Sequence, residues 1–361
     1  MDFADPSWRR RQDNLGGDKG DTMTLRKTPA TAIAVAAICC SAISGKLIAQ
    51  TTQATAPTVT FAGDAAATVP EAAHWVTMAP LPTARFGPGA ASVDGIVYAI
   101  GGDLSWFGCE ATGENDAYNP ATNTWTTMAP MPTPRWLPSV AVLGGVIYAV
   151  GGSEGCFPPS GVVEAYDPST DTWSTKASFP EGIASAQIGV IKGRLYVAGG
   201  TDTVDPIFAT VYAYNPERDS WSAEAPMPDA RYSGAGGVVN GSLYVVGGGD
   251  NVAIATSTLA YNPASKAWST KAGLSQPRFD LAAAVVGKKL YAIGGNLSSG
   301  TIVGTMEAYR LATGTWTTLR KMPTARMGLA AAQVNGTIYA IGGLLSQATG
   351  ALSAAVEAYT P

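Results

Sequence analysis

Histidine is nearly absent from this chain, which has one, His74, among 361 residues. Catalytic triads need a histidine with companion side chains, and zinc or iron centres usually combine histidine with acids or cysteines. A single histidine beside Trp75 cannot supply such a set, so we expect it to be a scaffold residue. The sequence therefore predicts no metal and no cofactor.

Charge is also scarce, since Asp, Glu, Lys and Arg make up only 14% of the residues. Residues 50–361 carry 16 basic and 22 acidic side chains, a net charge of −6. Proteins that bind nucleic acid neutralise phosphates with clustered basic side chains, so this balance predicts no nucleic-acid partner. The repeated part of the chain also lacks the pattern of an amphipathic helix, which favours an all-β fold.

What the chain does have is glycine, proline and a regular spacing of tryptophan. Each spaced tryptophan is followed 26 and 27 residues later by a Gly-Gly pair, and a tyrosine precedes the next tryptophan by seven residues. The tryptophans lie 50, 48, 48, 47 and 48 residues apart, at Trp75, Trp125, Trp173, Trp221, Trp268 and Trp316. A period near 48 residues predicts a repeat architecture.

Each unit contains the pattern of four short strands. A small apolar run, a Gly turn and an alternating segment such as 146–152 predict a hairpin. The segment 162–173 then predicts a third strand ending at Tyr166, an Asp-Pro turn and a fourth strand around Trp173. Six four-stranded units of this length predict a β-propeller.

These residues resemble the kelch repeat, in which Gly-Gly ends the second strand, Tyr ends the third and Trp lies in the fourth. The resemblance covers residues 74–361 and recurs six times. Leu311 departs from it at a turn proline, and Ile183 stands where the other units have arginine. It implies a six-bladed, all-β kelch propeller with four antiparallel strands per blade. The His-containing metal sites of kelch copper radical oxidases and of plant kelch proteins that divert thioglucoside breakdown cannot be built here.

The two ends of the repeat predict how the ring closes. Trp75 lies in a fourth strand with no preceding strands, and Tyr359 ends a third strand with no fourth. We therefore expect a last blade with three strands from 326–359 and a fourth from 74–78. The alternative, an open array of six units, leaves exposed strand edges that invite aggregation.

The first 72 residues have a different composition from the repeats. Arg26 and Lys27 precede an uncharged run, 28–45, and small residues precede a cleavage site after Ala49. We expect residues 1–49 to be a leader and signal peptide, 50–72 a linker rich in Thr, Ala and Pro, and 73–361 the propeller. The alternative, a retained anchor, is disfavoured because the run is short for a membrane span. The sequence thus predicts a periplasmic or secreted monomer without a stable membrane span after cleavage.

Cysteine usage agrees with export. Cys39 and Cys40 fall in the predicted signal peptide, whereas Cys109 and Cys156 fall in the variable loops of adjacent blades. We expect these two to form a disulfide, with two free thiols as the alternative.

An arginine stands ten residues after five of the tryptophans, at the start of the innermost strand. The set is Arg85, Arg135, Arg231, Arg278 and Arg326, and the first four are followed by Phe86, Trp136, Tyr232 and Phe279. The variable loop after each Gly-Gly pair lies on the same side, which we call the loop face. Either each arginine pairs with an acid or with loop carbonyls and holds the blades together, or a subset points to the axis and binds a carboxylate or sugar hydroxyls. Both alternatives stay open at this stage.

Other candidate ligand-binding residues on the loop face are Trp106, Glu154, Asp202 and Asp250. The sequence favours a module that binds a ligand there, a carbohydrate, an acidic sugar or a protein. The alternative is an enzyme resembling the periplasmic kelch sialic-acid mutarotases, an isomerase acting on a sugar. Ring opening needs a general acid and base, and without histidine the candidates are Glu110 and the three acids just named.

Overall fold

The structure is a computed structural model that describes residues 73–361 apart from 107–108, 157, 203–206 and 251. The predicted leader, signal peptide and linker lie outside the described residues. All regular elements within the described ranges are β-strands, and no helix there is long and apolar enough to cross a membrane.

Six antiparallel sheets of four strands each make up the fold. The innermost strands are Gly89–Val93, Ser139–Leu143, Gln187–Ile191, Ala235–Val239, Ala282–Val286 and Ala330–Val334. The second strands are Ile96–Ile100, Val146–Val150, Arg194–Ala198, Ser242–Val246, Lys289–Ile293 and Thr337–Ile341. The third are Asn115–Asn119, Val163–Asp167, Val211–Asn215, Thr258–Asn262, Met306–Arg310 and Val356–Thr360. The fourth are Thr124–Thr127, Thr172–Lys176, Ser220–Ala223, Ala267–Lys271, Thr315–Thr318 and His74–Thr77.

Innermost strands of neighbouring sheets contact each other around a closed ring, which includes the contact between Gly89–Val93 and Ala330–Val334. The molecule is therefore a six-bladed β-propeller, as the spacing predicts. We number the blades 1 to 6 in the order of their innermost strands. The apolar core lies between adjacent sheets, where side chains such as Ile147 and Tyr166 are fully buried.

The predicted closure is confirmed. The sheet of blade 6 has the order Ala330–Val334, Thr337–Ile341, Val356–Thr360 and His74–Thr77. Trp75 is opposite Tyr359 in the antiparallel register, and their rings lie 5.1 Å apart. The first strand of the repeat region thus covers an edge of blade 6 that would otherwise be open.

The nearly constant spacing of the tryptophans has a physical cause that is common to all six units. Every one of these indole N–H groups donates to a backbone carbonyl of a connection about 44 residues earlier in the repeat, or across the closure for Trp75, at 2.8 to 2.9 Å. Trp173, for example, donates to Ala129 O, while its ring packs on Tyr166 at 5.1 Å. Each tryptophan therefore joins its blade to the connection of its neighbour.

The Gly-Gly pairs make a second set of contacts between blades. The second glycine of each pair donates its N–H to the carbonyl ten residues after the next tryptophan, as Gly102 does to Arg135 O at 2.9 Å. The first glycine must lack a side chain. Gly101 has φ 65°, and a Cβ there would lie 2.4 Å from the same carbonyl oxygen. Close approach of the neighbouring backbone therefore requires glycine at this position.

The variable loops add short pairings above the blades. In blade 5 Arg278–Phe279 pairs with Asn296–Leu297, and in blade 6 Leu344–Ser346 pairs with Ala351–Leu352. Bridges such as Phe86 to Asp103 and Trp136 to Ser153 do the same in blades 1 and 2. These pairings place the residue after each arginine beside its own blade's variable loop, on the loop face.

Candidate ligand-binding site at the axial mouth

Four of the five predicted arginines form buried ion pairs inside their own blades. In blade 2 Arg135 donates to the carbonyls of Gly151 and Val162 at 2.6 and 2.7 Å, and to Glu164 Oε2 at 2.7 Å. Arg278 pairs with Glu307 at 2.5 Å, Arg326 with Glu357 at 2.9 Å, and Arg85 with Glu114 and with Asp116 at 2.8 Å. Burial lowers the pKa of the Arg135 guanidinium, and the charge of Glu164 opposes that shift.

Arg231 has no carboxylate partner within its third strand, because Leu259 occupies the position of Glu164 in blade 2. It donates instead to Ser257 O at 2.9 Å and Ser257 Oγ at 2.6 Å, with exposed Asp229 at 3.4 Å. Burial also lowers the pKa of this guanidinium. All five arginines thus lie in separate bonded sites at most 2% exposed, the geometry of the scaffold alternative.

Blade 3 shows why Ile183 interrupts the arginine series. The residue that corresponds to Glu164 is Tyr212, so both members of the ion pair are missing together. The Tyr212 hydroxyl donates to Glu181 at 3.0 Å, and the buried Ile183 joins the apolar core between blades. An arginine there would have no acid at the position where blades 1, 2, 5 and 6 supply one.

The aromatic candidates separate into two groups on the loop face. Trp106 and Trp136 pack on buried Phe86, with ring centroids 5.0 and 5.8 Å away, and Phe279 joins the same apolar cluster. Trp136 also donates its indole N–H to Gly155 O at 3.2 Å. Tyr232 lies outside this cluster, half-buried beside the loop of blade 4.

The three acidic candidates lie in the variable loops of three different blades, and one of them, Asp250, holds its own loop. Asp250 accepts the backbone N–H groups of Val252 and Ala253, both at 2.8 Å, which lower the pKa of its carboxyl. Glu154 is half-buried near Arg135, and Asp202 is half-buried against Gly182. These three acids therefore lie at separate loops and do not form one cluster.

The structure joins Cys109 and Cys156 in a disulfide, with Cα atoms 4.6 Å apart. The bond connects the variable loops of blades 1 and 2. Gly155 lies directly against the backbone of Cys109, and it is the residue whose carbonyl binds Trp136. The disulfide therefore fixes the loops around the aromatic cluster.

A ring of six residues surrounds the axis at the loop face, one from each blade, twelve residues after each tryptophan. All six have positive φ, between 51° and 60°. Each N–H donates to the carbonyl of the ring residue in the preceding blade, with N···O distances of 2.7 to 3.2 Å. We call this set the mouth ring: Gly87, Leu137, Ser185, Ser233, Asp280 and Gly328.

The mouth ring has an apolar half and a polar half. Phe86 lies against Gly328 and Leu137 against Gly87, so that blades 6, 1 and 2 present hydrocarbon. Blades 3, 4 and 5 present Ser185, Ser233 and Asp280. The ring is therefore asymmetric in chemistry although it is regular in its backbone.

Asp280 is the charged member of the mouth ring. Desolvation raises the pKa of its carboxyl to about 6, and a hydrogen bond from the Ser233 hydroxyl acts in the opposite direction. Its charge reaches Tyr232, whose pKa is raised first by burial and then by Asp280. Among the residues described, no Lys or Arg forms an ion pair with Asp280.

Below the ring an axial channel runs between the innermost strands, lined by small residues such as Gly89, Ala235 and Ala330. The channel has a volume of about 170 Å³ and the mouth a volume of about 90 Å³. Pro88, Pro138 and Leu281 line both spaces, so the mouth and the channel adjoin each other. None of the five arginines lines either space.

The mouth ring lies one residue beyond the positions that the sequence predicts as ligand-binding. The predicted residues are the arginine and the aromatic residue after it, and the ring residue directly follows that aromatic position. The signal available was variation within an otherwise fixed motif: Gly, Leu, Ser, Ser, Asp and Gly follow the aromatic position in turn. A single carboxylate at a position that is otherwise uncharged marks blade 5 as different.

Comparison with known proteins agrees with the fold. A family model described as the KLHDC2/KLHL20/DRC7 Kelch-repeats domain matches residues 175–343, and one described as the Kelch motif matches 84–132 and 135–180. The solved structure of YjhT is similar with a TM-score of 0.68 and 17% identity, covering 78% of this chain and 97% of that one. At this identity the similarity shows the fold alone. No curated protein matches the chain.

Proposed function

Since the chain belongs to the kelch-repeat six-bladed β-propellers, we propose that it is an exported binding module whose ligand enters the axial mouth on the loop face. The disulfide between Cys109 and Cys156 supports export, because such bonds persist in oxidising compartments. The predicted signal peptide agrees with the same destination.

The observation that carries the proposal is the polar half of the mouth ring. Ser185, Ser233 and Asp280 are brought together from three blades at the entrance of a channel, where they line open space. Polar groups that converge at a concave opening are typical of ligand sites. The buried arginines, by contrast, are already bonded within their blades. An acidic sugar would therefore meet a carboxylate in the mouth and no guanidinium from this series.

A substitution taken from the repeat itself tests the site. Ser185→Leu copies the residue that blade 2 carries at the same ring position, Leu137, whose backbone has nearly the same φ. It should leave the fold intact and fill the mouth with hydrocarbon. Asn240→Asp, a turn substitution that copies Asp94, serves as the matched control.

The measurement is a ligand screen by thermal shift and by ligand-observed NMR, with neutral sugars, sugar acids and amines. We expect a class of ligand that binds the wild type and Asn240→Asp alike, and Ser185→Leu about tenfold or more weakly. Ligands that bind all three proteins equally would place the site elsewhere and overturn the proposal.

The second candidate function is a sugar isomerase of the mutarotase type. The observation in its favour is Asp280, because a carboxyl whose pKa is about 6 can both give and take a proton near neutral pH. Exchange of anomers would be followed by NMR for several neutral sugars. The candidate requires acceleration by the wild type and its loss in Asp280→Asn; equal rates in the two proteins contradict it.

A further inference from the structure

We propose that the mouth binds an organic cation, an ammonium or guanidinium group, with Asp280 as its counter-ion. This inference rests on the proposed function, since it names the class of ligand that the loop-face mouth would take.

The first step is the contrast between Asp280 and the carboxylates inside the blades. Glu164, Glu307 and Glu357 each face a buried arginine within 2.9 Å. Asp280 faces open space in the mouth, with a hydroxyl from Ser233 and no cationic side chain bonded to it in the described part of the chain. A desolvated carboxylate is stabilised by a partner of opposite charge, and here the ligand would bring that charge.

The second step concerns the groups that surround the carboxylate. Tyr232 and Ser233 come from blade 4, Gly328 donates its N–H to Asp280 O from blade 6, and Ser185 follows on the far side of Ser233. The titratable groups on this side of the mouth are Asp280, Tyr232 and Asp250, and the buried Arg231 beside Tyr232 adds one positive charge, which Asp250 and the exposed Asp229 oppose. The local charge is negative, which attracts cations and repels sugar acids.

The third step is size. A water molecule occupies roughly 30 Å³ in the liquid, so the mouth of about 90 Å³ has room for roughly three waters. That is fewer heavy atoms than a hexose contains, but it suits an amine or guanidinium head group. The rest of such a ligand would extend from the mouth along the half-buried aromatic side chains, Tyr232 and Phe279, which directly precede Ser233 and Asp280.

The experiment titrates the full chain with agmatine, which carries both a guanidinium and an amine, by isothermal calorimetry at pH 7.5. Glucose and glucuronate are the neutral and anionic probes. An acetylated Gly-Arg-Gly amide distinguishes a peptide side chain from a free amine as the source of the cation. We expect one or both cationic probes to bind, competing for one site, and the other two to bind at least about tenfold more weakly.

Two variants assign the binding to Asp280. Asp280→Ser copies Ser185 and Ser233 at the same ring position and so should fold, and Asp280→Asn keeps the shape of the side chain. Both should weaken the cationic probe at least about tenfold. Asp94→Asn removes one negative charge from a turn where Asn240 and Asn335 occur naturally, and it should leave binding unchanged.

Binding should also weaken about tenfold between pH 7.5 and pH 5, as the Asp280 carboxyl takes up a proton, and this dependence should vanish in Asp280→Asn. Failure of both cationic probes to bind, or equal binding by Asp280→Ser and the wild type, overturns the inference. If a neutral or acidic sugar binds and Ser185→Leu weakens it, the mouth is the site but the ligand is not a cation. If no ligand of any charge responds to Ser185→Leu, the proposed function itself fails.

Discussion

At the scale of the residue, two neighbouring positions of the repeat have different roles: one belongs to the scaffold and the other to the candidate ligand-binding site. In the five units that have the arginine, its guanidinium is bonded within its own blade, as in the contacts of Arg135 with Gly151, Val162 and Glu164. The residue two positions after the arginine belongs to the mouth ring, and its backbone N–H and carbonyl link it to the ring residues of the two neighbouring blades. Its side chain is therefore free to vary, and in blade 5 it varies to Asp280.

The ion pair of blade 2 gives a direct test of the scaffold role. Arg135→Ala leaves the buried Glu164 without a cationic partner, with only the Thr133 hydroxyl still bonded to it, and removing one member of a buried pair costs about 3–5 kcal/mol. The double substitution Arg135→Ile with Glu164→Tyr copies blade 3, where Ile183 accompanies Tyr212, and should recover part of that loss. Urea unfolding of the three proteins checks this. A loss below 1 kcal/mol in Arg135→Ala would contradict the scaffold role.

The raised pKa of Asp280 predicts how stability depends on pH. Between pH 3.8 and about 6 the folded state holds the proton that the unfolded state has released, so stability falls as pH rises through this window. Asp280→Asn removes this loss. It should be more stable than the wild type by about 1–3 kcal/mol at pH 8 and equal to it near pH 3.5. Unfolding curves at both pH values are the measurement, and a constant difference between them would contradict the prediction.

At the scale of the element, the blade is defined by contacts that recur in every repeat. The indole N–H, the second glycine N–H and the mouth ring each bond to a neighbouring blade, at three distances from the axis. These contacts explain why tryptophan and Gly-Gly keep a fixed spacing while the variable loops differ. A variable loop can change length without moving any of these three contacts.

Two glycine substitutions separate conformational strain from close packing. Gly101→Ala combines a positive φ with a Cβ 2.4 Å from Arg135 O, so we expect a loss of at least about 2 kcal/mol. Gly144→Asn also has positive φ, but nothing lies within 4 Å of its Cβ, and Asn240 and Asn335 occupy the same turn position. It should be nearly neutral. Thermal melts of both variants check the difference, and equal losses in the two would contradict the prediction.

The disulfide acts on loops more than on blades. Reducing the bond between Cys109 and Cys156, or replacing both by serine, frees the chain segment that holds Gly155 against the Cys109 backbone. We expect faster amide hydrogen exchange in the loops of blades 1 and 2, with little change in the innermost strands. Uniform acceleration throughout the propeller would contradict this. Alkylation of the denatured, unreduced protein should label neither cysteine.

At the scale of the whole molecule, the fold can be predicted from the sequence, because backbone contacts between blades fix the period of the repeat. Trp75 and Tyr359 predicted closure through missing strands at the two ends, and the structure confirms the pairing. The site was harder to predict. Whether Arg135 faces the axis or its blade depends on side-chain direction, which spacing does not specify. The role of Asp280 arises only when six distant residues meet in one ring.

Because a strand from the other end of the repeat region closes the ring, removing that strand should destabilise the whole propeller. Deleting residues 73–79 removes His74–Thr77, its four-residue register with Val356–Thr360, and the indole hydrogen bond of Trp75 to Arg320 O. The new edge of blade 6 should lower the melting temperature and promote association between molecules. Moving the same seven residues to follow Pro361 through a short Gly-Ser linker restores the strand in a different covalent order, so this rearranged chain should recover the monomeric state and most of the stability. Light scattering and thermal melts compare the three proteins. A deletion variant that stays monomeric with an unchanged melting temperature would show that the strand does not hold the ring closed.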